Sequence, residues 1–452
     1  MGAIQLLIVT FFGVVLLLLL VTRFKLNAFI ALLITSMFIG IGAGMPVDVI
    51  LESMQEGMGG TLGFVATVVG LGAIFGQILE HSGGASSLAK YLLNKFGDEN
   101  ASWAMMITGF LVAIPVFFDV GFIILVPLVY ALAKKTGKSL LYYGIPLLTG
   151  LAVTHSFIPP TPGPIAVAEI VNADLGWVIL FGVIIGIPTA IIAGPVFGKY
   201  ISKKIHVGIP DYMEWEESGV SDESELPSFG LISAIIAIPL VLILFNTLTN
   251  LLVDEQVIAA GIHTDVMRFL GHPFVALTIA VLMALYWLGT KRGTTREQLS
   301  ELSIKAMQPA GIIILITGAG GVLKQILIDS GVGDLLAATM SDMGFPVIAL
   351  SYLIACAVRV TQGSATVAMI TAAGISAPVI EQFSLSEPQT ALVVLAIASG
   401  ATILSHVNDS GFWLVNRYLG LSEKETLQSW TVMETIISVT GFLLAAGLSL
   451  FV

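Results

Sequence analysis

The stretch T-G-L-A-V-T-H-S-F-I-P-P-T-P-G-P, which runs from Thr149 to Pro164, begins as an apolar helix and cannot continue as one. Proline lacks an amide donor and its ring clashes with the preceding turn, so the prolines from Pro159 onward end the helix. Apolar sequence resumes at Ile165. Lipid cannot satisfy the carbonyl groups that such a break frees, so within a membrane it persists only beside a cavity or buried in protein. The stretch therefore predicts a membrane helix broken at mid-depth, where secondary transporters bind their substrates.

The composition supports a membrane protein. The chain has 452 residues, of which 56% are hydrophobic and 11% are charged, and its mean hydropathy is +0.97. Apolar runs of about 20 residues recur along it and are typical of membrane-spanning helices in a lipid bilayer. The single cysteine, Cys356, excludes an internal disulfide, and the sequence carries neither a Cys/His metal motif nor a phosphate-binding loop. We therefore expect no cofactor, no ATP-driven cycle and no nucleic-acid partner.

The chain divides into two halves that follow the same plan, which predicts an all-α polytopic fold. The first half, residues 1–198, is expected to contain spans at 3–22, 28–45 and 61–80 (the last preceded by an amphipathic link at 46–58), a short helix at 84–96, a re-entrant hairpin within 102–133, a broken span at 140–171 and a span at 175–198. A charge-rich linker follows at 199–228, with its carboxylates between Asp211 and Glu225. The second half, residues 229–452, is expected to contain spans at 229–252, 272–290 and 309–328, a short helix at 333–342, a hairpin at 345–375, a broken span at 390–416 and a last span at 431–451.

Sequence identity between the halves indicates an internal duplication. V-V-G-L-G-A-I-F-G-Q-I-L-E-H-S-G from Val68 aligns with I-T-G-A-G-G-V-L-K-Q-I-L-I-D-S-G from Ile316. The residues of the first stretch with identical counterparts are Gly70, Gly72, Gln77, Ile78, Leu79, Ser82 and Gly83. Glycine-rich apolar helices can look alike by chance, but chance explains less well why the hairpins and breaks recur at similar spacing. An internal duplication is typical of many transporters.

Basic residues set the predicted orientation, because they concentrate on the cytoplasmic side. With the N-terminus outside and neither hairpin crossing the membrane, all basic residues except Arg268, Lys324 and Arg359 lie in cytoplasmic segments. The linker is then cytoplasmic, both termini are external, and the two halves have opposite orientations. The sequence thus predicts two inverted repeats, each with a re-entrant hairpin and a broken helix.

The hairpin tips and the breaks are predicted to meet near the midplane. The first hairpin turns at Asp119 and the second between Arg359 and Thr366, while the second break is S-H-V-N-D-S-G, from Ser405 to Gly411. Helix halves that end there direct their positive dipole ends at a shared cavity, which favours an anion. The predicted substrate-binding residues are His155, Thr161, Arg359, Thr361, Gln362, Gly363, Ser364, Asn408 and Ser410. Together they imply a small, hydroxylated anion as substrate.

Proton coupling is assigned to Asp119, Asp409 and His406. Carboxylates at membrane depth are functional by default, because burial disfavours their charged form, and histidine exchanges protons near neutral pH. Structural roles stay open: either carboxylate can pair with Arg359, and either His155 or His406 can bond the backbone at a break. Arg359 can clamp a substrate carboxylate bidentately or hold an acid in place.

Three motifs resemble the signatures of the gluconate permease family, the gluconate:proton symporters: P-V-F-F-D-V-G-F-I-I-L-V-P-L, H-S-F-I-P-P-T-P-G-P and S-H-V-N-D-S-G-F-W. The resemblance covers essentially the whole chain. It implies proton-coupled uptake of gluconate or a related sugar acid across the bacterial cytoplasmic (inner) membrane. Members of the wider ion-transporter superfamily resemble homodimeric elevator-type carriers. By that likeness, residues 1–100 and 229–343 form a scaffold, and residues 101–198 and 344–452 carry the hairpins and transport helices.

Several alternatives stay open at this stage. The family also transports D-serine and other small hydroxy acids, and it commonly has Glu where this chain has Asp119, so selectivity does not transfer. Sodium can replace the proton, because a carbonyl-rich break can hold it. An ion channel is disfavoured because channels usually form symmetric rings around one pore. An intramembrane enzyme using His155 with Ser156, or His406 with Asp409, is also disfavoured, because adjacent residues rarely face each other on a backbone.

Overall fold

The computed structural model describes residues 3–210, 226–333, 335 and 346–452, and every regular element within them is helical. The first half contains α1 (Ala3–Thr22), α2 (Ala28–Gly42), α3 (Val47–His81), α4 (Gly84–Phe96), α5 (Ala101–Val112), α6 (Phe118–Thr136), α7 (Leu140–Phe157), α8 (Pro162–Ile170), α9 (Leu175–Ile191) and α10 (Phe197–Lys204). The second half contains α11 (Phe229–Asp254), α12 (Ile262–Gly271), α13 (Pro273–Met283), α14 (Arg296–Asp329), α15 (Val347–Gln362), α16 (Ala365–Ile380), α17 (Glu387–Gly400), α18 (Ser410–Leu419), α19 (Glu423–Thr426) and α20 (Val432–Leu448). The acidic segment 211–225 and most of the predicted helix 333–342 lie outside the described residues.

Eight helical segments in the described part of the chain are long and apolar enough to cross a membrane. They are Gln5–Thr22, Val47–His81, Leu140–Ile170, Leu175–Lys204, Phe229–Asp254, Pro273–Arg292, Arg296–Asp329 and Glu423–Leu448. Several of them run on through π-helical turns at Ile192–Val196, Ala284–Gly289 and Leu427–Thr431. The expected all-helical membrane fold is confirmed. Most of α12 lies between the predicted spans 229–252 and 272–290.

Two helices are much longer than predicted. α3 has 35 residues and α14 has 34, where the sequence indicated spans at 61–80 and 309–328. The predicted link at 46–58 is wrong, because no proline follows Pro46 in this segment and exposed residues such as Asp48 simply continue the helix. At 1.5 Å per residue each helix is about 50 Å long, so its ends extend beyond a hydrocarbon core of about 30 Å.

The two long helices pack along each other through small residues. A Cβ on Gly57 would lie 2.5 Å from the carbonyl oxygen of Gly321, so the two backbones are in direct contact there. Gly318 packs against Met58 in the same seam, whereas Gly59, Gly60 and Gly63 face open space. Gly57, Gly318 and Gly321 therefore let the two helices approach closely, as small residues do between membrane helices.

The interior is centred on α7 and α17. Nearly every residue of α7 is buried, and α17 is buried from Thr390 to Gly400. α7 packs against α5, α6 and α9, and α17 packs against α15, α20 and α9. Helices that are apolar all round belong in the centre of a membrane protein, with neighbours on every side.

The chain is interrupted at the places that the sequence indicated. α7 and α8 are separated by residues 158–161, α15 and α16 by Gly363 and Ser364, and α17 and α18 by residues 401–409. The first hairpin turns slightly earlier than predicted, at residues 113–117. Asp119 therefore lies in the first turn of α6 rather than at the tip, a position where a helix dipole favours negative charge.

Candidate functional site

A cavity of about 360 Å³ lies beside these interruptions. It is lined by Phe117, Phe118, Asp119, Val120, Ala152, His155, Ser156, Pro309, Ile313, Arg359, Ser364, Ala365, Thr366, Asp409, Ser410, Gly411, Trp430 and Glu434. These residues come from both halves, and the long helix α14 supplies Pro309 and Ile313. The volume is within the range of sites for small molecules.

Three helices begin at the cavity wall. The first turns of α6, α16 and α18 contribute Asp119, Thr366 and Ser410 to the lining. The N-terminal end of each helix carries partial positive charge and amide groups with no partner inside the helix. Their convergence makes this cavity electrostatically suited to an anion.

Arg359 is the cation of the cavity wall, and it is already paired. Its Nη2 donates to Asp409 Oδ2 at 2.6 Å, and its Nη1 donates to the carbonyl of Gly363. The side chains of Arg359 and Asp409 are 2% and 11% exposed. Arg359 Nε is buried without a partner among the described residues. Of the two roles left open for Arg359, the contacts support pairing with an acid.

Asp409 is held by neutral donors as well. Its Oδ1 caps α18 by accepting from the Gly411 amide at 3.0 Å, and its Oδ2 accepts from the Ser405 hydroxyl at 2.5 Å. Ser405 Oγ in turn accepts from Trp430 Nε1 at 2.6 Å, and Thr431 donates to the Ser405 carbonyl. The second break is thus joined to the segment that leads into α20.

Two further carboxylates face the cavity without an ion pair among the described residues. Asp119 is exposed and has no ion pair in the described part of the chain. Glu434, in the first turn of α20, is 4% exposed, and its Oε1 has no hydrogen-bond partner among the described residues. The wall therefore combines one neutralised ion pair with two unpaired acids.

The structure brings half of the predicted site residues to this cavity: Asp119, His155, Arg359, Ser364, Asp409 and Ser410. The rest lie behind or beside the lining. Thr161 is buried next to a smaller cavity, and its hydroxyl donates to the Ile158 carbonyl at 2.7 Å. The Thr361 hydroxyl donates to the Val358 carbonyl at 2.8 Å.

The other three predicted residues and His406 surround the end of α15. Gly363 has a left-handed backbone, with φ of 81°, which ends this helix. His406 Nε2 lies 3.1 Å from the Val360 carbonyl, and Asn408 donates to the same oxygen at 3.0 Å. Both amide atoms of Gln362 are buried with no partner within the described ranges.

Glu434 and Trp430 were missed by the sequence reasoning. The signal for Glu434 was present, because it is the one charged residue of α20 and an intramembrane acid is functional by default. Trp430 carried no such signal, since an aromatic residue near the start of a span is ordinarily an interfacial anchor. Its hydrogen bond to Ser405 and its ring contact with Phe118, at 5.4 Å between centroids, depend on the tertiary fold.

Comparison with known proteins identifies the family. A family profile described as GntP family permease matches residues 4–451. The low-affinity gluconate transporter of Escherichia coli strain K12 is 43% identical over 429 residues, which cover 95% of this chain and 95% of its own length. The gluconate permease of Pseudomonas aeruginosa is 43% identical over 445 residues, which cover 98% of this chain and 96% of its own.

A solved structure shares the fold. MtrF of Neisseria gonorrhoeae, described with a class of antimetabolite efflux pumps, matches with a TM-score of 0.64 at 15% identity, over 90% of this chain and 85% of its own. The sequence relatives are transporters or permeases and not enzymes. Because the family profile spans nearly the whole chain, this protein belongs to the GntP family of permeases.

Proposed function

We propose that this protein is a secondary transporter that couples inward proton flow to the uptake of gluconate or a related sugar acid. The observation that carries the proposal is the cavity, where three helix N-termini and Arg359 lie beside two carboxylates that form no ion pair in the described part of the chain. The names of the two sequence relatives supply the substrate class. A permease for a hydroxylated anion needs both an anion-binding wall and a group that can hold a proton.

The substrate carboxylate is expected near the first turns of α16 and α18, where two helix dipoles point at the cavity beside the Arg359–Asp409 pair. Hydroxyl groups of the substrate can then bond with His155, Ser364, Thr366 and Ser410. None of the other five predicted residues, Thr161, Thr361, Gln362, Gly363 and Asn408, lines the cavity, and the side chains of Thr161, Thr361 and Asn408 donate to backbone carbonyls. We therefore assign these five to shaping the wall from behind.

Asp119 is the proposed coupling residue. When ionised it repels the anion, and when protonated it accepts the anion into the cavity. By reciprocity, the bound anion raises the proton affinity of Asp119 by the same factor. Asp409, the second carboxylate named from the sequence, is held by Arg359, Ser405 and Gly411, so we assign it to positioning Arg359. His406 is assigned to holding the end of α15 through Val360.

The proposed mechanism is an elevator built from two inverted repeats. α3 and α14 would belong to the scaffold, and the interrupted helices of residues 101–198 and 344–452 would form the transport domain, in a homodimer within the bacterial inner membrane. The matching order of long helix, hairpin and broken helix in the two halves supports the repeats. The cavity supports the division into a scaffold and a transport domain, because its wall combines the interrupted helices with Pro309 and Ile313 of α14.

The orientation can be tested with an impermeant thiol reagent. In a Cys356→Ser background, a single cysteine at position 220 is expected to stay unlabelled in intact cells, and one at position 260 is expected to react. Labelling of position 220 from outside would contradict the cytoplasmic linker.

The function is tested by uptake into proteoliposomes. Labelled gluconate is expected to accumulate when the lumen is made alkaline, and an imposed sodium gradient at equal pH is expected to have no effect. Unlabelled sugar acids are expected to compete more strongly than D-serine. Accumulation driven by a sodium gradient alone would show that sodium, and not the proton, is the coupled ion. Strong competition by D-serine with weak competition by gluconate would show that the substrate is not a sugar acid.

A further inference from the structure

Glu434 is a cavity carboxylate that forms no ion pair among the described residues. It is the one charged residue of α20, it is 4% exposed, and its Oε1 is buried without a hydrogen-bond partner in the described part of the chain. An ionised carboxylate buried in this way costs so much free energy that such groups take up a proton instead. Its position in the cavity wall gives a proton a route to it.

Charged and titratable groups face Glu434 from the neighbouring helices. α15 contributes Arg359 and α7 contributes His155 to the cavity lining that includes Glu434. α15 also carries Tyr352 and Cys356, neither of which lines the cavity. Asp409 and Asp119 approach from the starts of α18 and α6. α9 has no titratable side chain, and α17 has Glu387 at the end that lies near Val452, away from Glu434.

None of these groups forms an ion pair with Glu434 in the part of the chain that the structure describes. Arg359 is the cation among them, and its two Nη atoms are taken by Asp409 and Gly363. The Tyr352 hydroxyl lies 3.1 Å from Ser438 Oγ, one turn further along α20. Because the opposite charges of Arg359 and Asp409 cancel, ionised Asp119 and Glu434 would give the cavity a net charge of about −2, to which an anionic substrate adds its own negative charge.

We propose that Glu434 is a second proton-binding site of this carrier, so that two protons enter with each substrate anion. The inference rests on the proposed function and adds a site and a stoichiometry to it. Outside, a proton binds and an O–H bond forms on one carboxyl oxygen of Glu434. Inside, that bond breaks and the carboxylate remains, with no other reactant. Asp119 and Glu434 are then both neutral while the substrate is bound.

The stoichiometry can be read from steady-state accumulation in proteoliposomes with the membrane potential clamped at zero. Each coupled proton contributes roughly tenfold accumulation per pH unit. We expect about 100-fold per unit for the wild type and about tenfold for Glu434→Gln, which mimics the protonated acid. Glu434→Asp is expected to keep the wild-type slope. Glu423→Gln removes an exposed carboxylate shortly before α20 and is also expected to keep it.

The outcomes separate the two proposals. A wild type that shows no accumulation with a pH gradient overturns the proposed function itself. A wild type with a slope of one proton, or a Glu434→Gln variant with the wild-type slope, overturns the second site alone. Exchange of labelled for unlabelled gluconate at equal pH shows that Glu434→Gln is folded. If that exchange is lost, the wild-type slope still decides between one proton and two.

Discussion

The two helix breaks lie beside the same cavity, yet they are held in different ways. The first break, residues 158–161, is buried and proline-rich, has a cis bond between Pro159 and Pro160, and contains one polar side chain, Thr161, which in the described part of the chain bonds only within the break. The nearby His155 has a buried Nδ1 with no partner among the described residues. The second break, residues 401–409, contains no proline and is held by the ion pair of Asp409 with Arg359 and by the bonds of Ser405.

The comparison shows two ways to end a helix inside the protein: the first break is determined by its local sequence, and the second by contacts with residues distant in the chain. Proline ends a helix wherever it stands, so the first break needs no distant partner. The second break exists because side chains from α15 and from the segment before α20 satisfy it. We therefore expect replacement of polar side chains at the second break to lower the stability of the fold severely, and replacement of polar side chains at the first break to lower it little.

The largest effect is expected for Asp409→Asn. The change leaves the Arg359 guanidinium buried without its counter-ion, which costs about 3–5 kcal/mol of folding free energy. Asparagine still caps a helix well, so the loss reports on the ion pair. Denaturant titration of the purified protein measures it.

A double variant is the control for Asp409→Asn. Arg359→Met combined with Asp409→Asn removes both charges and is expected to recover much of the stability, while transport stays absent. If Asp409→Asn alone is as stable as the wild type, the ion pair does not hold the second break.

The next largest loss of stability is expected for Gly363→Ala at the second break, and Gly163→Ala at the first break is its matched control. Gly363→Ala forces a left-handed φ of 81° on alanine and drives its Cβ into the carbonyl group of Asn408. Strain and clash together are expected to cost at least about 2 kcal/mol.

Gly163→Ala is the counterpart at the first break. Its Cβ would lie 2.8 Å from Met369 Sδ, at the far end of a flexible side chain that can move aside. Alanine also favours the helix α8, so we expect a change within about 1 kcal/mol. Equal losses at the two glycines, measured by thermal unfolding in detergent, would contradict the comparison.

Asp119→Asn is expected to act on coupling and not on stability. Asp119 has no ion pair in the described ranges, so its removal leaves no partner unsatisfied. Asparagine mimics the protonated acid, so substrate exchange should persist while accumulation at one pH unit falls about tenfold. The measurement is uptake with and without a pH gradient. Normal accumulation would assign coupling elsewhere, and loss of all binding would make Asp119 a direct substrate contact.

The smallest overall change, in stability and in transport, is expected for His155→Gln. Its Nδ1 makes no hydrogen bond within the described residues, so the variant should unfold within about 1 kcal/mol of the wild type. A lost substrate hydrogen bond would raise KM by about tenfold with kcat nearly unchanged. A stability loss as large as that of Asp409→Asn would show that the first break also depends on polar contacts.

The sequence by itself determined the class of the fold and the location of its interruptions. Apolar runs decide which segments enter lipid, and a proline or a polar cluster inside such a run decides where a helix stops, so both are local properties. For the same reason Asp119, His155, Arg359 and Asp409 could be singled out as polar groups at membrane depth. The lengths of α3 and α14 were underestimated, because charged residues end a span but do not end a helix.

Only the tertiary structure decided which of these groups pair and which stay unpaired. Arg359 lies 50 positions before Asp409 in the chain and still farther from Asp119, and no periodicity chooses between the two acids. Packing of α15 against α17 and α20 brings Arg359 to Asp409 and leaves Asp119 and Glu434 facing the cavity. Pair energies in a low-dielectric interior depend on separations of a few ångströms, which the order of residues along the chain does not specify.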